Sequence, residues 1–127
     1  MVFGDTDRDN IALALYNAAL AIGATASYIN RGSSATVYLW PAGPGRISQN
    51  RVLEVDNETL SREFIIPKQT NFTPSAATRG NQIRFPTTAS YYYEIGDVRL
   101  DLLGADGEAA FARVTCFRER ARVVGGN

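Results

Sequence analysis

The spacing of the hydrophobic residues changes once along the chain, from a helical period near the N-terminus to an alternating one after it. From Ile11 to Ala26 the sequence IALALYNAALAIGATA is dominated by Ala and Leu and contains no proline, which is typical of an α-helix. Two apolar stripes run along this predicted helix, one formed by Ile11, Leu15, Ala18 and Ile22 and the other by Leu13, Tyr16 and Leu20. A helix with two apolar sides is either buried within its own subunit or shared with a neighbouring one. Tyr16 and Leu20 are therefore candidate interface residues.

The ends of this helix are marked by acidic residues and by a glycine. Asp7 or Asp9 is predicted to cap the first turn, because a carboxylate oxygen accepts a hydrogen bond from a free N–H group and favours the positive end of the helix dipole. Gly23 is predicted to stop the helix.

The alternating part of the sequence predicts short strands separated by turns. The predicted strands are SATVYLW at 34–40 (ended by Pro41), RVLEV, LSREFII, QIRF, one or two within YYYEIGDVRLDLL, and AFARVTCFRERARVV; the predicted turns are PAGPG at 41–45, a hairpin at 56–59, and GADGE at 104–108. We expect a single domain of residues 1–127 that is mainly β (α+β). In it, a helix within residues 1–26 packs on a small β-barrel or sandwich of residues 34–124 with a long polar loop at 68–81.

That polar loop is the least regular part of the sequence. It follows Phe64, Ile65 and Ile66, which place apolar groups on both faces of a strand, and it contains Lys68 and Arg79 but no acid. A connection this long without its own periodicity is usually functional or disordered. Its composition suits a passage crowded by a polyanion or a polar partner surface, and the alternative is a mobile surface loop.

Composition limits the classes of protein that fit. The chain has 127 residues, 45% of them hydrophobic and 20% charged, with 13 basic and 13 acidic residues, so the whole molecule has no field that attracts nucleic acid or an acidic membrane. A net charge of zero also makes self-association easier. The apolar run is too short and too rich in Ala to span a membrane, and acids rather than bases precede it. We expect a soluble, intracellular protein with no membrane partner.

The chemistry that the chain lacks argues against catalysis. There is no histidine, which removes Ser-His and Cys-His pairs and the common zinc sites. Cys116 is the single cysteine, so no internal disulfide forms. The Asp-rich segment GDTDRDN at 4–10 lacks the central Gly and closing Glu of an EF-hand loop. The other carboxylates lie at predicted hairpin ends or alternating strand positions. We predict that the protein is not an enzyme and has no cofactor or metal.

Two further groups of side chains, one of tyrosines and one of arginines, are of types that often contact ligands or partners. Tyr91, Tyr92 and Tyr93 cannot form one stacking platform, because successive strand residues point to opposite faces. Arg118, Arg120 and Arg122 would lie on one face of an extended segment, about 6.6–6.8 Å apart. Three hypotheses remain for these arginines: a solvated edge strand, salt bridges to an adjacent subunit, or contact with nucleic acid.

Four short motifs follow one another in a recognisable order. They are Arg62-Glu63-Phe64-Ile65-Ile66-Pro67, Gly80-Asn81-Gln82-Ile83, Tyr93-Glu94-Ile95 and Phe111-Ala112-Arg113-Val114. This order resembles the head-closure, or stopper, proteins of tailed bacteriophages, a group of head–tail connector proteins, over about Val37 to Arg118. The chain departs from that pattern at Asn81, where Asp is usual, and in a longer segment at 85–92.

The resemblance implies a structural virion protein of the phage neck, assembled in the host cytoplasm. Such proteins form homo-oligomeric rings, commonly of six copies, between the portal or adaptor and the tail. They close the channel that contains the double-stranded genomic DNA, and they dock the tail. The candidate channel-loop residues on this interpretation are Lys68, Asn71, Thr73 and Arg79, and the candidate subunit or partner contacts are Tyr16, Leu20, Arg118, Arg120 and Arg122. Two alternatives are a tail terminator or other ring-forming tail component, and a small ligand-binding β-barrel that uses Trp40 and the tyrosines.

Overall fold

The computed structural model describes residues 4–44 and 59–119, which form one helix and a single antiparallel sheet of seven strands. The elements are α1 (Asp5–Ile22), β1 (Thr25–Asn30), β2 (Ser33–Tyr38), β3 (Trp40–Pro44), β4 (Thr59–Pro67), β5 (Gln82–Arg84), β6 (Tyr93–Leu103) and β7 (Ala109–Glu119). The strand order is β2-β1-β5-β6-β7-β4-β3. The predicted mainly β fold with an N-terminal helix is confirmed.

The sheet curls into a half-barrel around the hydrophobic core. Its two edge strands, β2 and β3, follow each other in sequence with only Leu39 between them, so the two edges of the sheet meet at that residue. The concave face is filled by side chains that are almost completely buried, among them Val37, Leu39, Phe64, Ile66, Ile83, Ile95 and Val114. These residues alternate along their strands, as the sequence pattern requires.

The proline-rich segment after Trp40 forms a strand rather than a turn. Pro41 pairs with Phe64 and Pro44 pairs with Arg62, with an irregular register between them. The prediction that Pro41 ends a strand and begins a turn is therefore wrong for residues up to Pro44. Proline is tolerated here because β3 is an edge strand, in which one side of the backbone has no ladder partner.

The sequence analysis missed β1, which occupies the end of the segment assigned to the helix. The helix ends at Ile22, and Gly23 adopts a left-handed conformation with φ of 70°, as predicted for the stop. Ala26 and Tyr28 then point into the core while their neighbours are half-buried. This alternation is present in the sequence, but the small residues of ATAS make it weak.

The predicted aspartate cap of the helix is also wrong. Gly4 occupies the N-cap position without a side-chain hydrogen bond, and its carbonyl accepts a bond from the Arg8 backbone N–H. Asp7 lies in the first turn, and Asp9 contacts Arg8 and Lys68 instead. The acids suit the positive end of the helix dipole without capping it.

Several other predictions concern the C-terminal half or lie outside the described residues. The segment YYYEIGDVRLDLL contributes one strand, β6, with a register shift between Ile95 and Asp97, and the turn at 104–108 connects β6 to β7. The predicted strand RVLEV, residues 56–58 of the predicted hairpin, and Arg120 and Arg122 lie outside the described residues.

The helix lies across one end of the half-barrel and buries a narrow line of side chains. Ala12 and Ala19 are buried, whereas Leu13, Leu20 and Ile22 are 55%, 44% and 58% exposed. The buried line falls between the two predicted stripes, so packing within the subunit leaves the outer side of each stripe exposed. No helix in the described part of the chain is long and apolar enough to cross a membrane.

Candidate functional site

The polar connection at 68–81 is fixed to the body at its first turn by the side chain of Gln69. Its Nε2 donates to the carbonyl oxygens of Tyr38 and Pro67, both at 2.9 Å, and its Oε1 accepts from the Tyr38 N–H at 2.9 Å. The amide thereby pairs with the last residue of edge strand β2, as a neighbouring strand would. Gln69 therefore hydrogen-bonds the end of edge strand β2 at the point where the chain passes to β3, the strand at the opposite edge of the sheet.

The middle of the connection contributes to the core. The Phe72 side chain is 5% exposed, and its ring lies 5.1 Å from the Tyr28 ring in an edge-to-face contact. Pro74 is fully buried and begins a 3₁₀ turn over Pro74–Ala76, and Ser75 donates to the Glu108 carboxylate from both N and Oγ. The connection is therefore not an irregular polar loop over its whole length, because its apolar residues anchor it to the core.

The far end of the connection is held by a buried amide. Asn81 is 8% exposed, and its Nδ2 donates to the Tyr28 hydroxyl at 2.9 Å. Its backbone carbonyl accepts from the Ile95 N–H. Burial raises the pKa of Tyr28, and the hydrogen bond from Asn81 acts in the opposite direction. The hydroxyl is therefore a neutral structural partner of Asn81 at neutral pH.

The four candidate channel residues divide into three exposed side chains and one that is paired. Asn71, Thr73 and Arg79 are exposed, with Asn71 Nδ2 3.4 Å from the Thr36 carbonyl. Lys68 instead lies 3.5 Å from Asp9 of the helix, which neutralises its charge. Lys68 is thus a poorer candidate for a polyanion contact than the sequence suggested.

Arg31, which the sequence analysis did not single out, joins Arg79 on the surface. Both are exposed and line one open depression of about 550 Å³, together with Asn30, Gly32 and Gly80. Arg31 has a positive φ of 53° at the tip of the β1–β2 hairpin. Neither arginine forms an ion pair within residues 4–44 and 59–119. The Asn30-Arg31-Gly32 turn was the available signal for this residue.

Arg8 joins the helix to the β6–β7 turn. Its side chain is 3% exposed; Nη1 donates to Asp106 Oδ1 at 2.8 Å and to the Glu108 carbonyl at 2.7 Å, and Nε donates to Asp9 at 2.6 Å. Gly104 leaves the necessary space, since a Cβ there would lie 2.8 Å from Nη1. The hydrogen bond from Arg8 lowers the pKa of Asp106 to about 2 and also lowers that of Asp9.

The lowered pKa of Asp106 predicts a loss of stability in acid. A carboxyl with a folded pKa of about 2 and an unfolded value near 4 stabilises the fold fully above about pH 4. This contribution is lost as the pH falls from about 4 to about 2. We expect Asp106→Asn to melt at a lower temperature than the wild type at pH 7, with the two melting temperatures converging towards pH 2.

The matched control for that measurement is Asp7→Asn. It makes the same chemical change at an exposed acid in the first turn of the helix, next to Arg8 in sequence. It should retain the acid dependence of the wild type. If the melting temperatures of the wild type and Asp106→Asn fall by the same amount between pH 7 and pH 2, then the lowered pKa of Asp106 does not contribute to stability as proposed.

Arg118 packs on aromatic rings at the opposite end of the half-barrel. Its guanidinium carbon lies 4.0 Å from the centroid of Tyr91 and 5.9 Å from that of Tyr93. Arg62 lies over Phe85 at 5.3 Å, and Arg84 lies over Tyr92 at 5.1 Å. Strand β7 lies between β6 and β4, so the hypothesis that Arg118 lies on a solvated edge strand is wrong.

The remaining candidates do not converge on a reactive centre. Trp40 donates its indole N–H to the Leu15 carbonyl, and no ring contact joins it to Tyr91–Tyr93 among the described residues. Burial raises the pKa of the Cys116 thiol to about 12, so the thiolate is scarce at neutral pH. Glu63 and Asp101 lie near Arg113 in ion pairs.

Comparison with models of known protein families gave no match, and neither the curated proteins nor the solved structures gave one.

Proposed function

We propose that this chain is a ring-forming structural protein of a bacteriophage neck, in which the connection at 68–81 narrows the DNA channel. The observation that carries the proposal is the form of that connection. It presents Asn71, Thr73 and Arg79 to solvent, whereas Gln69 and Phe72 fix its base. The order of the four motifs, which resembles the head-closure proteins, supports the same function.

An anchored connection suits steric closure better than a hanging one. A flexible segment loses conformational entropy each time it is ordered against a ligand, at about 1–2 kcal/mol per residue. Here that ordering has already occurred on folding. Arg79 and the neighbouring Arg31 add isolated positive charges, which attract phosphates weakly and in a salt-dependent way. Such a surface restrains DNA without binding it tightly enough to prevent its exit.

The apolar outer face of α1 supports an assembled state. Leu13 and Leu20, which belong to the same stripe of the helix, expose large side chains, and contiguous exposed apolar surface marks interaction sites in proteins. Ile22 is exposed on the other stripe. Tyr16, a candidate contact, packs at 5.7 Å on Tyr38 and so belongs partly to its own subunit. We assign this face to contacts with neighbouring subunits, the portal or adaptor, or the tail.

A charge reversal on the connection tests the proposed function. Deleting the segment would remove Phe72 and Pro74 from the core, so substitution of exposed residues is the better design. We expect particles that contain Thr73→Glu/Arg79→Glu subunits to incorporate the protein normally but to lose packaged DNA on storage, measured by nuclease-sensitive release.

The control is Arg99→Glu, which makes the same charge reversal as Arg79→Glu at a side chain 65% exposed on β6. DNA retention equal to that of the control would contradict the channel position. Recovery of the wild-type protein on free tails, rather than on filled heads, would favour a tail terminator.

A further inference from the structure

Apart from the exposed Arg31 and Arg79, the cations of the described chain fall into two groups that differ in their partners. Arg8, Lys68, Arg99 and Arg113 each lie within 4.0 Å of a carboxylate. The three arginines that pack on aromatic rings, Arg62, Arg84 and Arg118, have no carboxylate within that distance in the described part of the chain. Their Nε atoms, like that of Arg113, are buried with no hydrogen-bond partner among residues 4–44 and 59–119. We call this cluster, with Tyr91 and Tyr92, the arginine–tyrosine end.

Guanidiniums without a carboxylate favour an anionic partner, and this applies most directly to Arg118, since Arg84 Nη1 and Nη2 already donate to the Thr87 carbonyl at 3.3 Å and the Tyr92 hydroxyl at 3.1 Å. Stacking on a ring holds a guanidinium in one orientation and leaves its in-plane N–H groups available. An open groove of about 610 Å³ adjoins Arg118 and is lined by Tyr91, Tyr92 and Phe117, and also by the exposed Glu94, which offsets part of the positive charge there. Tyr92 and Phe117 are 42% and 37% exposed.

The opposite excess of charge lies at the other end of the molecule. Five carboxylates lie around the start of α1 and the β6–β7 turn: Asp5, Asp7, Asp9, Asp106 and Glu108. Arg8 contacts three of them, Asp5, Asp9 and Asp106, and Lys68 also contacts Asp9. We call this the acidic end, and exposed Leu13 lies next to it. Strand β7 runs from one end to the other over 11 residues, which separates the two ends by about 35 Å.

We infer that the arginine–tyrosine end of one copy binds the acidic end of a second copy of this chain. Charge complementarity identifies the partner. The whole chain has no net charge, but its arginine–tyrosine end and its acidic end lie at opposite ends of β7, so a second copy presents the acidic surface that the arginines lack. The acidic end supplies carboxylates for the guanidiniums, and Leu13 supplies an apolar group for Tyr92 and Phe117. This inference deepens the proposed function, since it names the contact between ring subunits.

The two surfaces are different, so the contact is heterologous. A head-to-tail contact of this kind produces a closed ring when its rotation closes, and a filament when it does not. Much of the attraction is electrostatic at solvent-exposed carboxylates, so it weakens as salt increases.

Sedimentation velocity of the full chain at low and high ionic strength tests the inference. We expect salt-sensitive self-association in the wild type. Arg118→Glu should reduce the association constant at least about tenfold, and Arg84→Glu serves the same purpose if the first variant melts early. Arg99→Glu, the matched charge reversal outside both ends, should associate like the wild type.

A mixture of two variants provides the decisive comparison. Each variant reverses one charge of the contact, at the arginine–tyrosine end in Arg118→Glu and at the acidic end in Asp7→Lys, so each variant alone should associate weakly. An equimolar mixture should recover association, because the glutamate introduced at position 118 of one variant then faces the lysine introduced at position 7 of the other. A wild type that stays monomeric at both ionic strengths would overturn the inference, as would a mixture no stronger than its components. Arg118-dependent binding of short duplex DNA without self-association would also overturn it.

The inference and the proposed function fail in different ways. Salt-sensitive association of a protein that is absent from phage particles contradicts only the proposed function. Normal incorporation of Arg118→Glu subunits into a neck ring contradicts only the head-to-tail contact.

Discussion

Replacing Phe72 by alanine is expected to lower the free energy of unfolding by about 3–4 kcal/mol, the usual loss for a buried phenylalanine. The ring is 5% exposed and contacts Tyr28 edge-to-face at 5.1 Å, and its removal leaves a cavity beneath the connection. Urea denaturation followed by circular dichroism measures the change. A loss this large from a residue within a polar loop would show that the loop is part of the fold.

The control for Phe72→Ala is Thr73→Ala, at the next residue along the same connection. Thr73 is exposed, so its substitution should change the free energy of unfolding by about 0.5 kcal/mol or less. Equal effects of the two substitutions would contradict the anchored conformation and would favour the mobile surface loop that the sequence left as the alternative.

Replacing Arg8 by methionine is expected to lower the free energy of unfolding by about 2–3 kcal/mol. The substitution keeps an unbranched side chain but removes charged hydrogen bonds to Asp106 and Asp9 and the bond to the Glu108 carbonyl. The Asp106 and Asp9 side chains are 48% and 50% exposed, so solvent screens them and the loss stays below that of a fully buried ion pair.

Arg79→Met is the matched control for the Arg8 substitution, because Arg79 is exposed and has no ion pair in the described part of the chain. It should alter stability by about 0.5 kcal/mol or less. If Arg8→Met and Arg79→Met denature at the same urea concentration, the Arg8 contacts do not join the helix to the β6–β7 turn.

The hydrophobic pattern predicted the elements that depend on local sequence. The helix, its stop at Gly23, the short strand β5 and the long strand β7 follow from periodicity and turn residues alone. Strand β3 did not, because whether prolines are allowed depends on which strand lies at the edge of the sheet. Strand β1 was missed because its inward residues include Ala26, which is too small to mark a period.

The contacts that hold the candidate site together could not be read from the sequence. Gln69 bonds to Tyr38, 31 residues earlier, and Arg8 bonds to Asp106, 98 residues later. Such pairs are defined by the curl of the sheet, and no local pattern encodes them. The acids near the helix start were therefore interpreted as caps, and Lys68 was interpreted as a free cation although Asp9 pairs with it.

Anchoring changes how the proposed channel surface works. The exposed residues of the connection have limited freedom because the chain on either side is bonded at Gln69 and Asn81. A ring of such surfaces has a fixed inner diameter until the subunits themselves move. Opening the channel would then require a change between subunits, at the arginine–tyrosine and acidic ends, rather than a movement of the loop alone.

Cryo-electron microscopy of phage particles that contain this chain tests the central claim most directly. The account predicts a ring of identical copies on the axis between portal and tail, with Asn71, Thr73 and Arg79 facing the DNA. A ring that places these three residues on its outer wall, or particles that hold the chain as isolated single copies, would contradict it.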